Sequence, residues 1–415
     1  MIKRTYISAI VVLMTTFAYA GGYRVALQGQ KQLAMGHTGV AVINSAESVF
    51  FNPGGLTFLD KKITISAGIS PIFSNIHFQN SQFGWSTEAD NPIATPFNVY
   101  AAYKVNEWMS AGIGVYTPYG SGVEYPENWE GSHLVNKIEL AAIYIQPTLS
   151  FKINDKLSIG GGPIIAIGSV NFNRNIDRSM TNVSGERANV TIDDSGVTAW
   201  GYSLGLAFRP TEELTLGLTY KSEMKMKARD GEAKFHNIPS TAPGNYDNVT
   251  FDATLPLPAE LAVGASYMIN EKWLVAFDYN RVYWDSYESL DVYFSNGTDS
   301  HNPRNYKNSS VYRFGLQYIA SERFTIRGGY YYDESPVQAG YFAPETPRND
   351  SNNFTGGLSF NISERFAIDA AFLFIHFDEV DASYDHYQEN GQNVPFGGSY
   401  KNNAFIPSIG VSYGF

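Results

Sequence analysis

Chemistry in this chain must come from a small set of ionisable side chains, because it contains no cysteine. Asp278, Arg313, Arg327 and Asp369 stand in alternating segments whose odd-offset neighbours are large and apolar, so these four charges share the opposite face. Charges so placed brace one another across a wall, or an arginine, or Lys307 just ahead of Arg313, meets a carboxylate by charge-assisted hydrogen bonds. The seven histidines, His37, His77, His133, His236, His301, His376 and His386, stand in no local His-Ser or paired-carboxylate motif, and most fall in polar stretches. The chain has no Gly-X-Ser-X-Gly, no His-X-X-X-His and no phosphate-cradling glycine loop with lysine; "DDSG" and "DYN" are turn or strand sequence. The expectation is a protein without catalytic residues, metal ligands or cofactor.

The elements that would position these charges are β-strands. From about Lys62 onward, segments of 10 to 18 residues alternate between large apolar and small or polar side chains. In "AWGYSLGLAFRP", Trp200, Tyr202, Leu204, Leu206 and Phe208 share one face while Gly201, Ser203, Gly205 and Ala207 share the other. The same parity recurs at Leu214 to Tyr220, Trp273 to Tyr279 and Tyr312 to Tyr318. A soluble sandwich buries such a face and places charges opposite; a membrane barrel turns it to lipid and the small polar face to its lumen. Gly, Ser, Thr and Ala dominate the second face, which favours the barrel.

Connections of two lengths alternate. Short turns fall at Asn106-Glu107, Asn154-Asp155, Pro210 to Glu213, Asn270-Glu271, Ser321-Glu322 and Ser363-Glu364. Long polar loops are expected at about 79–95, 118–136, 175–194, 230–252, 295–308, 335–350 and 381–399. Six short and seven long connections imply an all-β, transmembrane antiparallel β-barrel of about 14 strands, the plan of a bacterial outer-membrane protein. Ile409, Val411, Tyr413 and Phe415 share a face of the last strand, which resembles the terminal signal read by outer-membrane assembly machinery. Tyr283-Trp284 and Tyr330 to Tyr332 suit interfacial girdles.

The first residues set the compartment. "MIKR", the apolar "YISAIVVLMTTFA" and "AYA" ending at Ala20 read as a signal peptide over 1–20. After it no apolar run reaches the ~20 residues of a spanning helix; "FAIDAAFLFIHF" is too short and carries Asp369. A net charge of −11 without a basic cluster argues against nucleic acid. Residues 21–60 precede the barrel, 61–415, as an extension.

Several stretches, in order along the chain, resemble the FadL/TodX family of outer-membrane transporters for long-chain fatty acids and aromatic hydrocarbons. They are "LAMGHTGVAVINSAESVFFNPGGL", "GVYTPYGSGVEYPENWEG", "LPLPAELAVGASY", "VYRFGLQY" and "FTIRGGYYYDESPV". The resemblance implies a barrel plugged by an N-terminal hatch, apolar ligands captured from outside, and lateral release where the third strand bends inward. It also implies a monomer. Gly54 stands where the family usually has alanine, which implies a looser hatch.

Within the expected hatch, Ser45 to Phe51 has helix-start chemistry, with Asn44 or Ser45 as cap and Glu47 in the first turn; Asn52-Pro53-Gly54 stops it. Val49, Phe50 and Phe51 would line the ligand path or anchor the plug to the wall. In Tyr116, Thr117, Pro118, Tyr119 and Gly120 the proline removes a ladder donor, so the segment either kinks inward to make a lateral opening or begins the extracellular loop.

The function expected is passive uptake of hydrophobic small molecules, long-chain fatty acids or hydrocarbons. The surroundings expected are outer-membrane lipid and lipopolysaccharide. A diffusion porin for polar solutes, a surface adhesin or receptor barrel, and an outer-membrane lipase are the alternatives.

Overall fold

The computed structural model describes residues 22–80 and 83–415; the signal-peptide expectation for 1–20 lies outside them. Fourteen antiparallel strands form the wall. β1 has two runs, Ile63–Ile69 and Phe73–Gln79. β2 is Phe97–Lys104, β3 Met109–Glu124, β4 Lys137–Asn154, β5 Leu157–Asn175 and β6 Asn189–Phe208. β7 joins Leu214–Lys221 to Met224–His236, and β8 joins Val249–Leu257 to Ala259–Met268. β9 is Trp273–Tyr283, β10 Ser309–Ile319, β11 Phe324–Asp333 and β12 Ser351–Asn361. β13 joins Phe366–Phe377 to Val380–Tyr384, and β14, Phe396–Gly414, closes the barrel on β1 through pairs such as Ala67 with Val411.

Parity decides which face meets lipid. On β6, Trp200 and Leu204 are 67 % and 51 % exposed while Ser203 between them is 0 % exposed. A soluble core would reverse that order, so the large apolar face points outward.

The central strands are longer than the membrane. β6 has 20 residues, about 65 Å at ~3.3 Å each, against an apolar band of ~25 Å. Parts of the expected loops are therefore strand: 119–124, 189–194, 230–236 and 249–252 continue the ladder. In these upper segments the apolar side chains turn inward, with Val190, Ile192, Ala233 and Phe251 buried, while the outward positions such as Glu232 and Lys234 are exposed and charged.

β3 is irregular where proline was expected to act. Tyr116 pairs with Tyr144 and Tyr119 with Ala142, so β3 holds one extra residue there, a bulge. Its other neighbour, β2, ends its pairing at Asn98 with Tyr116. Pro118 thus interrupts one side of the ladder, and the strand runs on to Glu124 along β4.

The N-terminal segment contains two short helices, α1 Gln30–Leu33 and α2 Ser48–Phe51, then a 3-10 turn, Pro53–Phe58. The expected cap at Asn44 or Ser45 is corrected. The helix starts at Ser48 after Glu47, with no side-chain cap, because the Ser45 hydroxyl accepts from Gln32 Nε2 at 3.2 Å.

Candidate functional site

Asn52, Pro53 and Gly54 seat the segment on the wall. Asn52 Nδ2 donates to Val40 O at 2.7 Å and Leu206 O at 3.0 Å, while its Oδ1 accepts from Gly54 N at 3.1 Å. Ser150 and Ser158 both donate to Gly54 O, Ser150 at 3.0 Å. A Cβ on Gly54 would lie 2.8 Å from Gly205 O, and one on Gly205 would lie 2.4 Å from Asn52 Oδ1. Glycine meets glycine here because the two backbones touch.

Val49 and Phe51 pack inward and are buried. Gln146 Nε2 donates to Val49 O at 2.7 Å, and Gln146 Oε1 accepts from Tyr116, which joins the helix to the base of the β3 bulge. Phe51 lies edge-on to His37, with ring centroids 4.8 Å apart. Phe50 differs: it contacts Tyr116 at 5.0 Å, has Lys221 Nζ 3.8 Å from its ring centre, and lines a small inner cavity with Arg24, Pro118, Tyr119 and Glu260.

The free side of β3 is filled by the start of the same segment. Val25 N donates to Pro118 O at 2.8 Å, Gly120 N donates to Tyr23 O at 3.0 Å, and Arg24 is the cross-strand partner of Tyr119. Gln28 Nε2 donates to Thr117 O at 3.0 Å. Arg24 then reaches across the barrel, Nη1 to Glu260 Oε2 at 2.8 Å on β8 and Nη2 to Asp333 Oδ2 at 3.4 Å on β11.

Two larger cavities flank the bulge. The outer cavity is lined mainly by apolar side chains, including Ile138, Ile192, Met226, Phe251 and Leu257. The side cavity lies between two lips, Ala94 to Phe97 on one side and Thr117 with Tyr119 to Val123 on the other. Tyr119 and Ser121 line both cavities. Tyr119 is buried, its ring 5.9 Å from both Tyr23 and Tyr144.

The structure distributes the sequence-derived charges unevenly. Asp278 Oδ2 accepts from Gly39 N at 2.7 Å and Val40 N at 3.0 Å. Arg327 donates to Gln317 at 2.9 Å and to Ser359 at 2.6 Å; Ser359 donates to Asp369, and Lys31 on α1 stands 3.8 Å from that carboxylate. Arg313 is buried near His37 O, and its Nε and Nη2 have no protein partner. Lys307 is exposed and lines none of the three cavities.

Sequence reasoning missed Arg24, Glu260 and a buried outer pair, Arg304 with Glu345. Glu260 had a signal: it alternates with Leu261, Val263 and Tyr267 and so points inward by parity. Arg24 had none, since its partners lie more than 200 residues away. Among the described residues no group of three or more metal-ligating side chains is found.

Fold and site together define a lipid-embedded barrel with an apolar outer cavity and a lumen that the N-terminal segment occupies, a protein of the bacterial outer membrane. Residues 11–415 match the family model described as outer membrane protein transport protein (OMPP1/FadL/TodX), and the chain belongs to that family. An outer membrane protein of Neisseria meningitidis serogroup B is 26 % identical, over 98 % of each chain. The long-chain fatty acid transport protein of Escherichia coli K12 is 21 % identical, over 93 % of this chain and 94 % of its own. Among solved structures, a Pseudomonas aeruginosa FadL homologue superposes with a TM-score of 0.81 at 19 % identity, over 95 % of this chain and 100 % of the other.

Proposed function

We propose that this outer-membrane transporter takes up hydrophobic small molecules passively, with residues 21–60 as its hatch and the β3 bulge as its lateral exit. Lipopolysaccharide impedes apolar solutes, and a watery pore offers them no favourable surface. An apolar cavity does, at ~25 cal/mol per Å² buried. The solute fills the outer cavity, passes Tyr119 and Ser121, enters the side cavity and leaves between the lips at Ala94 to Phe97 and Thr117 to Val123. Tyr23 to Val25 must first leave the edge of β3. Asn52 to Gly54 act as the anchor of the hatch, while Phe50 lines the path beside Lys221. Asp278, Arg327 and Asp369 brace hatch and wall; Arg313, with two free donors, offers a solute's polar end a partner at the inner cavity. The observation that carries this reading is that the residues on the bulged strand line both cavities.

The test is reconstitution. Proteoliposomes should accumulate a radiolabelled apolar solute without an energy source, and the same protein in planar bilayers should pass little ionic current. Large steady ohmic currents together with sugar permeation would overturn the reading in favour of a porin.

A further inference from the structure

A strand of a closed barrel has no free edge, so a proline whose missing N–H faces a neighbouring strand costs a ladder bond. β1 and β14, the pair that closes this barrel, meet at two prolines. Ile63 and Phe415 exchange both main-chain bonds at 2.9 Å, and hydrogen-bonded pairs recur at every second residue of an antiparallel ladder. The register that pairs Ile69 with Ile409 resumes unchanged at Phe73 with Phe405. Pro71 and Pro407 therefore face each other at a hydrogen-bonded position, where neither has an N–H to give. Among the described residues the links across this gap come from side chains, Ser408 Oγ to Ser70 Oγ at 2.7 Å and to Ile69 O at 3.1 Å. Ile69, Phe73, Phe405 and Ile409 flank the prolines on the outward face and are each about half exposed, so the gap lies in the lipid-facing wall, where no water supplies the missing donors.

The other side of β1 is intact. Ser70 N donates to Pro96 O at 3.0 Å and Ile72 N to Ala94 O at 2.8 Å, so the stretch around Pro71 carries the lip Ala94 to Phe97. Ile72 and Ile406 line the side cavity behind it. The lip is thus bonded to a segment of β1 that is itself released from β14.

We propose that Pro71 and Pro407 are specificity-determining residues for solute width: they cut the wall behind the lip, so that Ser70 to Ile72 and the lip withdraw together when a broad, rigid solute passes. The proposal rests on the lateral-exit reading above and narrows it. A linear chain slips past the lip in place, whereas a fused-ring hydrocarbon needs the withdrawal.

The experiment measures entry of radiolabelled phenanthrene and n-decane into vesicles that hold the full mature protein and carry lipopolysaccharide in the outer leaflet, corrected for protein-free vesicles. Pro71→Val with Pro407→Val restores both donors on a residue that favours strands. Each restored bond shifts an opening equilibrium about two- to tenfold, so phenanthrene entry should slow by about fivefold or more, with n-decane unchanged within about twofold. Pro71→Val alone should give an intermediate rate, and amide exchange at Ser70 and Ile72 should slow in the same order. Equal slowing of both solutes, or no change in phenanthrene entry, would overturn the role of the prolines. If the unaltered protein admits neither solute above the protein-free rate, the uptake reading itself fails, an outcome distinct from the first two.

Discussion

Val25 gives its main-chain N–H to the carbonyl of Pro118 at 2.8 Å, and so the chain's own N-terminal segment serves as the missing neighbour of β3. Proline keeps an acceptor but has no donor, and Gly120 two residues on supplies the donor, bonded to Tyr23 O at 3.0 Å. Two such bonds contribute about 2 kcal/mol net, well within reach of thermal opening. The ion pairs of Arg24 with Glu260 and Asp333 therefore set how firmly this strap stays down.

Glu260→Gln should loosen the strap by on the order of 3 kcal/mol, since it leaves Arg24 buried with only the 3.4 Å contact to Asp333. That is about a hundredfold faster hydrogen exchange at the Val25 and Gly120 amides, read by mass spectrometry. Unchanged exchange would show that the ion pair is not what holds the strap.

Gly54→Ala should weaken seating of the hatch by about 1–3 kcal/mol, because the added Cβ falls 2.8 Å from Gly205 O and both backbones must shift. Residues 22–60 should become more sensitive to protease while heat-modifiable migration of the barrel persists. The same sensitivity in both proteins would mean that the close contact relaxes freely.

The long outer loops should respond to acid through His133. Burial, then the positive charges of Arg178 and Arg174, lower its pKa from 6.5 to about 4, with Glu389 opposing; the Tyr387 ring packs 4.5 Å away. Because the folded value is depressed, packing of 125–136 is fully stable above pH 6.5 and loses stability as pH falls toward 4. Exchange or proteolysis in that stretch should rise over this window, and His133→Gln should flatten the response. A flat profile for the unaltered protein would contradict the assignment.

Much of the barrel was legible because strand parity is a local property. Trp200, Ser203 and Leu204 announce their faces within five residues, and the two classes of connection count the strands. Upper strand segments such as 230–236 were not legible, because a register shift between Ala228 and Gly231 breaks the alternation and the charged outward residues Glu232 and Lys234 read as loop. Of the site, the proline bulge and the Asn52-Pro53-Gly54 anchor stand out as breakers. The strap does not: "YRV" at 23–25 has no periodicity, and its meaning comes from Pro118, Glu260 and Asp333, which only the closed barrel brings to it.

The central claim is that solutes leave through the side of the barrel once the strap lifts, and a covalent lock tests it most directly. Arg24 and Tyr119 face each other as a non-hydrogen-bonded antiparallel pair, flanked by the Val25–Pro118 and Gly120–Tyr23 bonds, the geometry in which two side chains come closest. The chain has no cysteine, so Arg24→Cys with Tyr119→Cys yields a single disulfide. Uptake of a radiolabelled apolar solute by proteoliposomes should be abolished in the oxidised protein and return when the same sample is reduced. Equal uptake in the oxidised and reduced forms would contradict lateral release past the strap.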